Sequence, residues 1–160
     1  MVDQKTNVMR LLEQKKISYQ AYSYPHGEAA VDGLTVAGLI GHDPTCVFKT
    51  LVARGASKTC YVFVIPVTHE LDLKKAAKAM GEKSIAMLPL CELTPLTGYV
   101  RGGCSPIGMK KQFKTVYHHS AEDLDHILVS AGKIGFQVEL KPDDLFRLTR
   151  GSTADLTTEE

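Results

Sequence analysis

A lysine in the middle of an apolar segment is the first residue that could take part in chemistry. Segment 47–52 is mostly β-branched, aromatic or aliphatic, and turn-forming residues flank it, which predicts a buried strand. Side chains alternate between the faces of a strand, so Lys49 shares one face with Val47 and Leu51. A partly buried ammonium is costly unless it is paired. Lys49 is therefore either a guard that stops an edge strand from pairing with another chain, or a cation at a pocket that receives an anionic or carbonyl group.

The glycine-rich segment 97–108 is the second candidate. Its glycines allow positive φ angles and close approach of the backbone to a ligand. Residues 102–108 could form a backbone nest for an anion or a developing oxyanion, and an irregular turn is the alternative. Cys104 within this loop is a candidate nucleophile only if a base lies close to it. A small buried thiol is the more common state of a cysteine.

Several lysines could contact phosphates, and a solvated charge cluster is the competing interpretation. They are Lys110, Lys111 and Lys114 after the glycine loop, and also Lys74 and Lys75 on a predicted helix. His118 and His119 are adjacent, so on a strand they are expected to face opposite ways, which argues against a paired metal site. The four cysteines form no CxxC pair, and no cofactor motif is present. Neither a metal nor a cofactor is predicted.

Composition limits the class of protein. A chain of 160 residues is predicted to form a single domain, 1–160, with a substantial core. A net charge of +1 gives no global basic field, so any binding of nucleic acid needs a local patch. The sequence has no apolar run long enough to span a membrane, and residues 1–10 do not resemble a secretory signal. We therefore expect a cytoplasmic protein with reduced thiols.

Periodicity and turn residues predict about seven strands and five short helices in mixed order. This order favours an α+β domain with a mixed, mainly antiparallel sheet. The predicted strands are 17–24, 47–52, 60–67, 85–87, 113–119, 127–130 and 136–140. The predicted helices are 6–16, 36–40 capped by Thr35, 73–80 capped by Asp72, and two that begin at Ser120 and Pro142. A helical turn over 89–93 is expected to stop at Pro95, and the last residues, including Glu159 and Glu160, are expected to fray.

Five segments occur in an order that closely resembles one family. They are 48–51, 71–81, 97–99, 102–111 and 129–133. Together they resemble the YbaK/EbsC family of free-standing Cys-tRNA(Pro) deacylases, which is related to the editing domain of bacterial prolyl-tRNA synthetases. The resemblance extends from residue 6 to residue 156 and implies a curved, partly closed sheet surrounded by helices. It also implies editing in trans, because no synthetase domain is recognised in the sequence.

The resemblance also implies roles for particular residues. Lys49, Gly103 and Ser105 are expected to be catalytic. Tyr24, Thr50, Cys104, Pro106 and Gln137 are expected to bind substrate, and Lys110, Lys111 and Lys114 are expected to bind tRNA. Cys104 stands where other members carry an aliphatic residue, and Gln137 where some carry an aspartate. Mischarged tRNA is the expected partner, with prolyl-tRNA synthetase as a further candidate that would select the tRNA.

Proline and cysteine are similar in volume, and a binding pocket separates such isosteres poorly, so a second hydrolytic site is the usual remedy. The family chemistry is substrate-assisted: the thiol of the misattached cysteine attacks its own ester. Two alternatives remain open at this point. The protein could deacylate Ala-tRNA(Pro) or another aminoacyl-tRNA, or it could be a regulatory or binding module that keeps the fold without catalysis.

Overall fold

The computed structural model describes residues 5–159, and Met1–Gln4 and Glu160 lie outside the described part. It contains five α-helices and eight strands. The helices are α1 (Asn7–Gln14), α2 (Gly33–Ile40), α3 (Leu73–Met80), α4 (Leu90–Thr97) and α5 (Pro142–Thr149). The strands are β1 (Gln20–Ser23), β2 (Phe48–Gly55), β3 (Cys60–Pro66), β4 (Ile85–Met87), β5 (Lys114–His118), β6 (Ile127–Ser130), β7 (Phe136–Leu140) and β8 (Ser152–Ala154). Short 3₁₀ helices cover Pro44–Cys46 and His119–Asp123.

The strands form two sheets. One has the order β1-β7-β6 and the other has the order β4-β2-β3-β5-β8. Every pairing is antiparallel except β3 with β5 and β5 with β8, which are parallel. The predicted α+β class and the mixed, mainly antiparallel pairing are confirmed. The expectation of one partly closed sheet is corrected: within residues 5–159, a single parallel bridge between Val47 and Leu128 joins the two sheets, and they do not close.

Strand β2 separates the apolar clusters, because its alternate residues face opposite sides. Phe48 and Val52 belong to the largest cluster, which also holds much of α1, β6 and β7. On the other face, Val47 packs with Leu128 and with Ala37 of α2. Further along that face, Leu51 packs against a third cluster, which includes Ala76 and Ala77 of α3. Lys49 lies on this second face, between the two smaller clusters.

The predicted caps are confirmed for α3 and wrong for the start of α2. Asp72 caps α3 by accepting hydrogen bonds from the amides of Lys74 and Lys75, and Gly81 ends that helix in the left-handed conformation. For α2 the predicted cap, Thr35, is wrong. Asp32 caps the helix, because its carboxylate accepts from both the amide and the hydroxyl of Thr35, and α2 begins three residues earlier than predicted.

Three elements differ from prediction. Strand β8 was not predicted, and it pairs with β5. Helix α4 continues through Pro95. Proline has no amide hydrogen to donate to the carbonyl of Cys91, but both residues lie on the exposed side of the helix, where water can hydrogen-bond that carbonyl. Strand β5 ends at His118, and a 3₁₀ helix replaces the α-helix predicted to begin at Ser120. No helix among the described residues is long and apolar enough to cross a membrane.

Candidate active site

The strand registers place four polar residues in one line across both sheets. Tyr22 of β1 is paired with Gln137 of β7, and Gln137 is paired with Ser130 of β6. A parallel bridge joins Val47 to Leu128, and Lys49 and Ser130 each follow two residues later on the same face, so Lys49 lies at the β6 end of this line. Paired residues on neighbouring strands share a face. We call Tyr22, Gln137, Ser130 and Lys49 the polar row.

Lys49 keeps its ammonium group available within this row. Its Nζ lies 3.4 Å from Oε1 of Glu70, whose side chain is 80% exposed, whereas that of Lys49 is 28% exposed. A long ion pair with a solvated carboxylate holds its partners weakly. Lys49 pairs with Ile65 of β3 on one side, and β6 approaches on the other side through the Val47 bridge. Lys49 therefore does not stand on an open sheet edge, which argues against the edge-guard interpretation.

Gln137 carries an unsatisfied acceptor at the centre of the row. The residue is 6% exposed, and among the described residues its Oε1 has no hydrogen-bond partner. A buried carbonyl without a donor is unfavourable, so this oxygen favours a ligand that brings a donor. The resemblance indicated Gln137 as a substrate-binding residue, and its unpaired oxygen is consistent with that role.

Tyr22, at the β1 end of the row, belongs to a polar network with Glu139 and His42. The hydroxyl of Tyr22 donates to Oε1 of Glu139 at 2.7 Å, and this bond raises the pKa of Tyr22. Nε2 of His42 lies 3.7 Å from the same carboxylate oxygen. Tyr24 follows two residues after Tyr22, is buried, and donates its amide to the carbonyl of Gly135. Tyr24 therefore extends the pairing of β1 with β7 by one residue, and its ring contacts that of His26, with centroids 6.4 Å apart.

The sequence analysis missed two members of the row, Tyr22 and Ser130. Ser130 lies at the β6 position of the row. It is 8% exposed, and its Oγ accepts a hydrogen bond from the amide of Gly132 at 3.1 Å. The sequence did contain a signal, since this serine interrupts the buried segment 127–131 and lies in one of the five segments that carry the resemblance.

The glycine loop packs against the turn between β6 and β7. A Cβ atom on Gly103 would lie 3.0–3.2 Å from the backbone of Lys133 and Ile134, so only glycine fits without a shift. The Gly103 amide donates to the carbonyl of Val100, and the buried Ser105 Oγ accepts from the amide of Ile107. The Gly103 amide is therefore not free in this conformation, and the Ser105 oxygen already accepts one hydrogen bond.

Some backbone amides of the loop remain available, including the two on either side of the Cys104–Ser105 peptide bond. Within residues 5–159, the amides of Cys104 and Ser105 donate to no protein group. They are the loop's candidate donors to an oxyanion, in place of the Gly103 amide. Pro106 is buried directly after them.

Two further predicted residues face the apolar core. Cys104 is 7% exposed within the largest cluster, and burial raises the pKa of its thiol to about 12. It is a packing residue that stays protonated at neutral pH. Thr50 points to the face of β2 opposite Lys49, and its buried Oγ1 has no partner among the described residues. The structure does not bring the Thr50 hydroxyl into the row.

The predicted tRNA-binding lysines lie at the surface, apart from one. Lys110, Lys111 and Lys114 are exposed, and Lys74 is exposed on α3. Lys75 is instead tied to the C-terminal segment, because its Nζ donates to the carbonyl of Thr157 at 2.7 Å and lies 3.1 Å from Oδ2 of Asp155.

The expectation that His118 and His119 face apart is wrong. Their ring centroids are 4.4 Å apart, because β5 ends at the first histidine and a 3₁₀ helix begins at the second. Possible ligand atoms of both histidines and Asp155 lie within 4.8 Å of one another. However, Nδ1 of His118 accepts from the amide of Leu156 at 3.1 Å, and Lys75 neutralises Asp155. The protein itself uses these groups, which disfavours a metal at this cluster.

Comparison with known proteins places this chain in a family. Residues 29–148 match the aminoacyl-tRNA editing domain, and the chain belongs to this family. A protein of Enterococcus faecalis is 48% identical over 157 residues, covering 98% of this chain and 96% of that protein. Its provisional name is Cys-tRNA(Pro)/Cys-tRNA(Cys) deacylase EbsC.

Solved structures with low sequence identity share the fold. One, described provisionally as a trans-editing enzyme for prolyl-tRNA synthetase, has a TM-score of 0.83 at 21% identity. The match covers 98% of this chain and all of that chain. A second, described only as a hypothetical protein, has a TM-score of 0.85 at 19% identity and covers 96% of this chain and all of the other.

Proposed function

We propose that this protein deacylates Cys-tRNA(Pro) in trans. Membership of the editing-domain family and the near full-length similarity to a protein named as a Cys-tRNA deacylase support this activity. The polar row supplies a cation, a hydroxyl and an unpaired acceptor on one face of the sheets. The name of the relative adds Cys-tRNA(Cys) as a second substrate to test.

In the proposed mechanism the substrate supplies the nucleophile. The thiol sulfur of the esterified cysteine attacks its own ester carbonyl, and a carbon–sulfur bond forms. Lys49 and the amides of Cys104 and Ser105 stabilise the oxyanion. The ester carbon–oxygen bond then breaks, the departing ribose oxygen takes the proton lost by the thiol, and tRNA leaves. Water hydrolyses the resulting cyclic thioester to free cysteine.

The observation that carries this proposal is the state of Cys104. It is the cysteine of the glycine loop, and it is buried with a pKa raised to about 12. A thiol attacks as its thiolate, so Cys104 is a poor nucleophile at neutral pH. A thiol within a few bonds of its target has an effective molarity on the order of 10⁵ M or more. The substrate thiol therefore has the advantage.

Replacing Cys104 with valine tests the source of the nucleophile. Cys104→Val should keep most of the activity on Cys-tRNA(Pro) and lose about 1 kcal/mol of stability through repacking. Ser-tRNA(Pro), with a weaker hydroxyl nucleophile, should react much more slowly. Release of labelled amino acid from both substrates measures the effect. A folded but inactive variant, together with rapid hydrolysis of the serine ester by the wild type, would favour a protein thiol instead.

Parallel assays with Ala-tRNA(Pro) and Cys-tRNA(Cys) define the specificity. Hydrolysis of the alanine ester at a comparable rate would contradict the substrate-thiol mechanism, because alanine has no thiol. Activity on none of these substrates would favour the binding-module alternative.

We also propose the context in which the activity operates. Residues 1–160 act as one editing domain in the cytoplasm, where the four cysteines, all free in the structure, remain reduced. Prolyl-tRNA synthetase contributes to the choice of tRNA, since a net charge of +1 leaves the chain little general affinity for nucleic acid. Co-purification of the two proteins in the presence of tRNA(Pro) tests this partner.

A further inference from the structure

A basic cleft lies beside the polar row and belongs to none of the groups assigned above. It has a volume of about 590 Å³ and runs between the start of α1, the end of α4 and the turn that follows β6. Lys5, Arg10 and Lys133 line it, and none of its lining residues is acidic. We call this feature the basic cleft.

The cations of the cleft are available to a ligand. All three side chains are exposed, and Lys133 has no ion-pair partner within residues 5–159. Lys5 pairs with Glu13 at 2.8 Å, but both side chains are exposed, so the pair is weak and readily exchanged. Arg10 bonds only to the neutral side chain of Asn7. Glu13 offsets part of this charge, since it pairs with Lys5 and also interacts with Arg10, and the three cations leave the cleft with a net positive charge.

The wall of the cleft is held in place by Tyr99. Its hydroxyl donates to the carbonyl of Ile107 at 2.5 Å, which ties it to the glycine loop. A Cβ atom on Gly132 would lie 3.1 Å from Cε1 of Tyr99, so the turn after β6 packs closely against the ring. The cleft thus includes the turn that adjoins Ser130 of the polar row, and Tyr99 connects it to the glycine loop.

The distance along the chain between cleft and row is short. Ser130 of the row accepts a hydrogen bond from the amide of Gly132 in the cleft, and Lys133 follows directly. In an aminoacyl-tRNA the reactive ester is on the terminal ribose, and the nearest anions are the phosphates of the adjoining nucleotides. Because this hydrogen bond joins the Ser130 end of the row to the cleft, a substrate whose ester lies beside Ser130 would direct those phosphates toward the cleft.

We propose that the basic cleft binds the phosphates of the single-stranded acceptor end of tRNA, next to the reacting ester. This inference rests on the proposed deacylase function. It differs from the expectation that Lys110, Lys111 and Lys114 make the main contacts. Only Lys110 of that set adjoins the cleft, since its amide donates to the carbonyl of Thr97, beside the lining residue Gly98.

The test compares two charge-matched double variants. Arg10→Gln/Lys133→Gln removes two cations from the cleft, and Lys111→Gln/Lys114→Gln removes two from the other surface. Binding of uncharged tRNA(Pro) is measured as a function of salt, together with kcat and KM for Cys-tRNA(Pro). The turnover of 3′-O-cysteinyl-adenosine, which has no phosphate, is measured in parallel. Thermal melting verifies that each variant is folded.

We expect the cleft variant to have a shallower slope of log affinity against log salt, by roughly 0.7 to 0.9 for each lost contact. Its KM for Cys-tRNA(Pro) should rise while kcat and the turnover of the adenosine ester stay unchanged. The control variant should show the smaller change. An unchanged slope in the cleft variant, a larger change in the control, or loss of adenosine-ester turnover would each overturn the proposal. If the wild type hydrolyses neither ester, the proposed function fails, and the tRNA-binding measurements still decide the role of the cleft.

Discussion

The surroundings of Lys49 leave its ammonium group available to a substrate. It stands between two apolar clusters, and its protein partner is one solvated carboxylate at 3.4 Å. Lys49→Ala should lower kcat by about 100-fold or more, the loss typical of a missing oxyanion donor. Stability should change by less than about 1 kcal/mol, because the ion pair is exposed. Single-turnover deacylation and urea unfolding measure the two effects.

Glu70→Gln is the matched control for Lys49. It removes the same ion pair but leaves the ammonium group in the row, so activity should stay near that of the wild type. If both variants lose activity equally, the ion pair rather than the free cation is what matters.

Gln137 offers a test in which stability and activity should separate. Gln137→Met keeps the approximate volume but removes a buried acceptor that has no partner. Stability should therefore stay the same or rise, whereas KM should increase by about tenfold if the oxygen accepts a hydrogen bond from substrate. Urea unfolding and steady-state kinetics report the two quantities.

Ser120→Ala is the control for this comparison. It removes another buried acceptor without a partner, in the 3₁₀ helix after β5 and outside the row, so it should not affect KM. A Gln137→Met variant that is destabilised and kinetically normal would assign Gln137 to packing.

At the scale of elements, the turn after β6 lines the basic cleft and is hydrogen-bonded to Ser130 of the polar row. Gly132 has a φ of +94°, and a Cβ atom there would lie 3.1 Å from both Tyr99 Cε1 and Val8 Cγ2. Gly132→Ala should therefore cost about 1–3 kcal/mol of stability through backbone strain and contact. Activity should fall as well, because the turn orients Ser130. Thermal unfolding and deacylation assays test both expectations.

Gly38→Ala should have the opposite effect on stability. It lies in the interior of α2 with open space around it, so alanine should stabilise the protein by about 0.5–1 kcal/mol. Equal effects of the two substitutions would show that the turn is not strained.

The elements that were predicted correctly are those with a strong local signal. The apolar runs of β2 and β3 and the capped helix α3 could be read from neighbouring residues alone. Strand β8 could not, because three residues with little pattern become a strand only by pairing with β5. The polar row could not be predicted either, since it depends on one bridge between Val47 and Leu128, which are distant in sequence. Lys49 was a candidate from its own segment as well as from the family resemblance, and Gln137 came from the resemblance. Tyr22 and Ser130 came from the strand register.

For the whole molecule, we expect the buried His118 to make the free energy of unfolding depend on pH. Burial lowers its pKa, with the neighbouring His119 as the next cause. As pH falls below about 6.5, the unfolded chain takes up a proton that the folded protein resists, so stability should decline from that point downward. Above pH 7.5 this residue should contribute no slope. Urea midpoints measured between pH 8 and pH 5 test the trend.

His118→Asn should flatten this part of the curve, because asparagine does not titrate and its carbonyl oxygen can accept the Leu156 amide. His126, which is exposed, supplies the control, and His126→Asn should leave the slope as it is in the wild type. A His118→Asn variant with the wild-type slope would mean that another group is responsible.

The single bridge between the two sheets has a consequence for the effect of temperature on catalysis. Lys49 and Ser130 come from different sheets, and few backbone hydrogen bonds hold those sheets together. Apolar contacts, those of the largest cluster together with Val47 against Leu128, supply most of the join. Apolar association weakens on cooling. The strands within each sheet are also joined by backbone hydrogen bonds, which do not depend on apolar association. The alignment of the row should therefore be the first part of the molecule to loosen in the cold, and activity should decline on cooling more steeply than chemistry alone would require.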